Sequence, residues 1–132
     1  MNMNTNIDFR DEIIFNGYEE DEYSGGIRRF LALTQSKVNM LVENHFINLD
    51  EKQDKGPSAK ELIDFLNNHS NKFCLGGFAI SNDRSDYNVV FDSIQSIVST
   101  DKLTAEDIMD FKYLCRNCDD FSSEPILYGW WD

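Results

Sequence analysis

With 132 residues, 41% hydrophobic and 13% aromatic, the chain has the length and apolar content of one self-supporting domain spanning 1–132, not of a disordered acidic tail. Its formal net charge of −12 disfavours nucleic acid and anionic membrane as direct partners and favours basic surfaces. No apolar run approaches the roughly 18–20 residues of a membrane span. The polar start Met1-Asn2-Met3-Asn4-Thr5-Asn6 lacks the features of a signal peptide, so a cytoplasmic location is expected.

Residues 1–6 read as disordered. Residues 7–15 read as a strand, because Ile7 and Phe9 alternate with charges before the run Ile13-Ile14-Phe15. Asn16-Gly17 marks a turn. The acidic run Glu19-Glu20-Asp21-Glu22 follows, flanked by Tyr18 and Tyr23, and Ser24-Gly25-Gly26 resets the chain. A short helix is expected over 27–33. Thr34 then caps a helix over 35–46 with the stripe Val38, Leu41, Val42 and His45. A polar loop, 48–57, leads to Ser58, which with Glu61 forms a capping box for a helix whose apolar face is Ala59, Leu62, Ile63 and Leu66. Residues 73–80 read as a buried strand in which Gly76-Gly77 marks a bulge or a close backbone approach. After a turn at 81–86, residues 87–97 form the return strand. Thr104 caps the last helix, 105–118, with the stripe Ile108, Phe111, Cys115 and Cys118. These elements give an α+β fold: three to four helices packed on one face of a small antiparallel sheet centred on the 73–97 hairpin, joined by an N-terminal strand.

No strong catalytic motif is present. Cys115-Arg-Asn-Cys118 closes a helix, whereas a redox pair opens one, and a structural zinc usually needs four ligands. With Cys74 the thiols number three, an odd count that fits reduced core cysteines. His45 and His69 sit near helix C-termini, where dipole compensation or a core edge accounts for them. Residues 50–61 have the length of a calcium loop, with Asp50, Asp54, Ser58 and Glu61 at ligand positions, but Lys52 and Lys55 defeat the cage. No metal or cofactor is expected.

The charge distribution is more informative. Residues 1–23 hold seven carboxylates against Arg10, a net of −6, and residues 101–132 hold eight against three bases, a net of −5. The residues between them are nearly balanced at −1. Both ends place aromatics beside acids: Glu19, Glu20, Asp21 and Glu22 with Tyr23, and Asp119 and Asp120 with Tyr128, Trp130 and Trp131. These types anchor interfaces. For the tryptophan pair two readings stand, a clasp on the core or an interface anchor. The tip Asp83-Arg84-Ser85-Asp86-Tyr87 either pairs its charges locally or presents Arg84 and Asp86 for contact.

The stretch Gly77-Phe-Ala-Ile-Ser-Asn-Asp-Arg-Ser-Asp-Tyr87, preceded by Pro57-Ser-Ala-Lys-Glu-Leu-Ile-Asp-Phe65, resembles small acidic bacterial proteins carrying a Gly-aromatic-Ala-x-Ser-x-x-Arg-x-Asp-Tyr hairpin after a helix. The resemblance covers residues 27–120 and departs at Asn82, where that pattern often has proline. No activity is established for that group. Its members are similar to immunity proteins, which block basic toxin domains. The resemblance and the charge together imply a non-enzymatic inhibitor or immunity-type protein that blocks a basic partner, a nuclease toxin or a nucleic-acid-binding defence enzyme, as a nucleic-acid mimic of bacterial or phage origin would. The alternatives are a small enzyme or ligand-binding domain using the Cys and His residues, and a structural subunit docked by its aromatic tail. The two acidic ends are expected to form one patch, because domain termini often lie close together.

Overall fold

The computed structural model describes residues 3–16 and 22–132. A helix, α1 (Ile7–Phe15), precedes strand β1 (Ile27–Leu33), helices α2 (Gln35–Glu43) and α3 (Ala59–Asn68), and the hairpin β2 (Phe73–Ile80) and β3 (Asn88–Ser96). A short 3-10 turn leads to α4 (Ala105–Leu114) and a small ribbon, β4 (Asp120–Ser122) and β5 (Tyr128–Trp130). The five strands form one antiparallel sheet in the order β1-β2-β3-β5-β4, as the α+β reading requires. No helix among the described residues is long and apolar enough to cross a membrane.

Two elements depart from the sequence reading. Residues 7–15 are helix, not strand. Asn6 caps the helix by accepting from the Phe9 N–H at 3.2 Å. Its buried face is Arg10, Ile13, Ile14 and Phe15, a helical spacing hidden from the sequence because Arg10 counts as polar there. Residues 27–33 are strand, not helix. Phe30 and Leu33 both face the core, and their spacing of three imitates a helix because the register shifts between them at a bulge. The N-terminal segment, expected to be disordered, holds hydrogen bonds at Asn4: its N–H donates to the His45 carbonyl at 2.9 Å.

The other helices start where their caps predict, but α2 and α4 end at Glu43 and Leu114, short of the expected 46 and 118, so the exposed His45 and the half-buried Cys118 fall outside them. The Ser58–Glu61 and Thr104–Asp107 capping boxes are both closed. The helices pack on one face of the sheet. Phe111 of α4 stacks on Phe73 at 5.4 Å, and Phe65 of α3 meets Phe73 edge-on at 4.9 Å. A second bulge shapes this face. Gly76 pairs with Ser93 and Gly77 with Phe91, so Asp92 is the extra residue, and Phe91 and Ile94 both stay inward. A Cβ on Gly77 would collide with the Val90 carbonyl oxygen, which explains the glycine there.

Candidate functional site

The β4–β5 ribbon carries the tail residues singled out by sequence. Gly129 pairs with Ile94 and faces the helix layer; a Cβ there would stand 2.5 Å from the Cys115 Sγ. Side chains alternate along a strand, so Tyr128 and Trp130 point to the opposite, helix-free face. There Trp130 stands beside Ser93 and Asp120, and Tyr128 beside Gln95 and Ser122. Both aromatics are partly exposed, and Asp119, Asp120 and Asp132 are exposed around them. The Asp132 N–H donates to Asp119 Oδ2 at 2.8 Å and the Asp119 N–H to the Trp130 carbonyl at 2.8 Å, which ties the carboxylates to the ribbon. Burial, then the neighbouring Asp120 and Asp92 carboxylates, push the Tyr128 hydroxyl up, so it remains a neutral donor. Farther along the same face Phe78 packs under the Arg29 guanidinium at 5.8 Å, and Arg29 pairs with Asp92 at 3.2 Å.

Trp131 does not belong to this surface. It is 2% exposed, and a Cβ on Gly56 would stand 3.0 Å from its Cγ, so it is the core clasp of the two readings. Its backbone N–H donates to the Asp92 carbonyl at 2.9 Å and fixes the ribbon on the bulge. The two tryptophans therefore lie on opposite faces of the sheet although they are adjacent in sequence.

The N-terminal acids behave differently. Glu19, Glu20 and Asp21 lie outside the described residues; Glu22 and Tyr23 lie inside them. The Tyr23 hydroxyl accepts from Arg10 Nη2 and donates to Asp11 Oδ2, both at 2.7 Å. Burial, then the bond to Asp11, push that hydroxyl well above its ordinary range. Arg10 is fully buried, donates to the Ile80 carbonyl at 2.8 Å and stacks on Tyr87 at 4.8 Å. Tyr23 thus serves the fold. It leads into β1, at the opposite sheet edge from β4, and four interstrand spacings make that separation roughly 19 Å. Tyr23 is thus set apart from the β4–β5 ribbon, while most of the acidic run expected to join the ribbon in one patch, Glu19, Glu20 and Asp21, lies outside the described residues.

At the hairpin tip Arg84 holds Asp86 with two bonds of 2.9 Å and reaches the Gly25 carbonyl at 2.9 Å. This is the local pairing. It anchors the Gly25-Gly26 turn, whose positive φ angles of 62° and 81° suit glycine.

A groove of about 350 Å³ between α3 and α4 is the place where an enzyme would be sought. His69 lines it, and a carboxylate faces each ring nitrogen: Asp107 at 2.7 Å on Nδ1 and Asp110 at 3.1 Å on Nε2. Both nitrogens therefore already face a protein partner. Burial pushes the Asp107 carboxyl up, but Lys72 at 2.7 Å, the Thr104 N–H and His69 outweigh it and hold Asp107 well below the usual carboxylate range. The thiols are equally unsuited to nucleophilic work. Burial raises Cys74, Cys115 and Cys118 alike, with the adjacent Cys118 raising Cys115 further. Among the described residues no group of three or more His, Cys, Asp or Glu could hold a metal ion. Sequence reasoning missed the Arg10 hub and the His69–Asp107–Lys72 cluster. Each depends on partners distant in the chain, Ile80 for Arg10 and Asp107 for Lys72, and only the Thr104 cap hinted at either.

Compared with known proteins, the chain matches no family model, and no curated protein or solved structure is significantly similar to it.

Proposed function

We propose that this protein is an acidic binding domain that covers a basic surface of a protein partner and inhibits it, in the manner of an immunity protein against a nuclease toxin or a nucleic-acid mimic against a defence enzyme. The observation that carries this reading is the placement of Trp130 and Tyr128 on the helix-free sheet face beside Asp119, Asp120 and Asp132. An aromatic core rimmed by carboxylates is the arrangement that anchors and steers a cationic partner. The interface is the ribbon and the adjoining Phe78–Arg29 strip. Arg84, Asp86 and Tyr23, engaged internally, act as scaffold. No enzymatic step is assigned, because His69 is held at both nitrogens and the thiols stay protonated.

The test uses the wild-type protein and an Asp119→Lys/Asp120→Lys/Trp130→Ala variant as parallel baits in native cytoplasm. The reading expects a basic protein held by the wild type, lost by the folded variant, and inactive while bound. An acidic partner, or one held equally by both baits, would overturn it.

A further inference from the structure

On the helix side of the sheet a pocket of about 220 Å³ opens between the 52–57 loop and the end of α4. Lys52, Lys55 and Arg116 line it, with Gly56, Asn117 and one carboxylate, Glu61. Three cations converging on one small cavity stand out in a chain of net charge −12. The ion pairs made elsewhere sharpen the contrast. Arg10, Arg29, Lys60, Lys72 and Arg84 each hold an Asp within 4.0 Å, whereas among the described residues Lys52, Lys55 and Arg116 hold none.

The cations and Asn117 are exposed side chains, but the backbone that carries them is held in place. Arg116 lies over the Tyr113 ring at 4.1 Å and donates from Nη1 to the Tyr113 carbonyl at 2.8 Å, which fixes its guanidinium at the pocket wall. The loop is folded back on itself: Lys52 bridges to Ser58, the Gly56 N–H donates to Gln53 at 2.9 Å, and the Ala59 N–H donates to Glu51 at 2.8 Å. Gly56 is seated directly on the Trp131 indole, so the loop cannot drift from the core. Glu61 does not fill the site, because its Oε1 accepts from the Ser58 N–H at 3.2 Å in the capping box. The α3 end contributes no free donors; the Ala59 and Lys60 N–H groups already bond to Glu51 and Leu49. The side chains alone make the site.

We infer that this pocket binds a compact phosphate group, free or as the ester of a small molecule, between Lys52, Lys55 and Arg116. A rigid guanidinium with two lysines is the donor set that recognises a tetrahedral oxyanion, Arg through its fork and Lys as a point charge. Asn117 offers an amide to the same ligand. The volume admits a phosphate with a sugar-sized substituent. This ligand is independent of the proposed protein partner, and its site is on the other side of the sheet.

The test is an amide and side-chain NMR titration of the full chain with inorganic phosphate at constant ionic strength, repeated with ribose 5-phosphate. Saturable shifts confined to 52–56 and 116–117 are expected, with an apparent Kd on the order of 1 mM for inorganic phosphate. Arg116→Gln and, separately, Lys52→Gln/Lys55→Gln should each weaken binding about five-fold or more. Lys102→Gln, which also makes no ion pair but lies outside the pocket, should leave it unchanged. Tighter binding of ribose 5-phosphate identifies an ester as the ligand, and equal binding identifies phosphate itself; either supports the site. Non-saturating shifts spread over the basic residues, or binding retained by both variants, would overturn it. The partner capture described above is unaffected by either result.

Discussion

Tyr23 and Trp130 both stand beside acids in sequence, yet the fold surrounds them differently. Around Tyr23, acid and aromatic close on the buried Arg10, and the Asp11 carboxylate and both tyrosine hydroxyl lone-pair and proton roles are taken up inside the fold. Around Trp130, no described cation answers Asp119 or Asp120, and the aromatics face outward. An acidic, aromatic segment is therefore not in itself an interface. A buried counter-ion within reach turns it into scaffold, and its absence leaves it available to a partner.

Two substitutions should test the scaffold side most severely. Arg10→Ala removes a fully buried guanidinium, takes its donors from Tyr23 and the Ile80 carbonyl and leaves Asp11 without its ion pair; a loss of about 4 kcal/mol in urea unfolding is expected. Trp131→Ala, which empties the space under Gly56, should cost about the same. A loss below about 1 kcal/mol in either would break the distinction between core and surface.

Asp107→Asn comes next, with an expected loss of about 3 kcal/mol, because it strips Lys72 and His69 of their shared carboxylate. The pH dependence has a definite sign. The folded-state pKa of Asp107 lies below the unfolded one, so its contribution is complete above about pH 4 and is lost as pH falls from there toward the folded value. Denaturation followed between pH 6 and 2 should show wild type and variant converging at the acid end. Parallel curves would remove Asp107 from the account.

On the surface side, Trp130→Ala should weaken partner binding by about 2 kcal/mol or more, mainly through faster dissociation, while leaving the protein folded. Asp119→Asn/Asp120→Asn should slow association and reduce its salt dependence, with stability changed by less than about 0.5 kcal/mol. If Trp130→Ala instead unfolds the protein, the ribbon belongs with the scaffold. Among the core substitutions the smallest loss is expected at Cys118→Ala, about 1 kcal/mol, since its partly buried thiol packs at the core edge.

The sequence by itself determined the elements whose signals are local. Thr34, Ser58 and Thr104 cap helices by bonding N–H groups three residues on, and the hairpin between Phe73 and Ser96 follows from its apolar run and return. It also placed the tail aromatics among acids. What it could not supply depends on partners distant in the chain. Arg10 made α1 look like a strand because its burial is granted by Ile80, Asn88 and Tyr23, and a bulge made β1 look like a helix because β2 sets its register. Gly129 between the two ribbon faces sends Trp130 outward, and the Asp92 bulge with Gly56 takes Trp131 inward. Composition fixes how much apolar and charged surface a chain must dispose of; only the packed structure decides which acid meets a cation and which tryptophan loses its water.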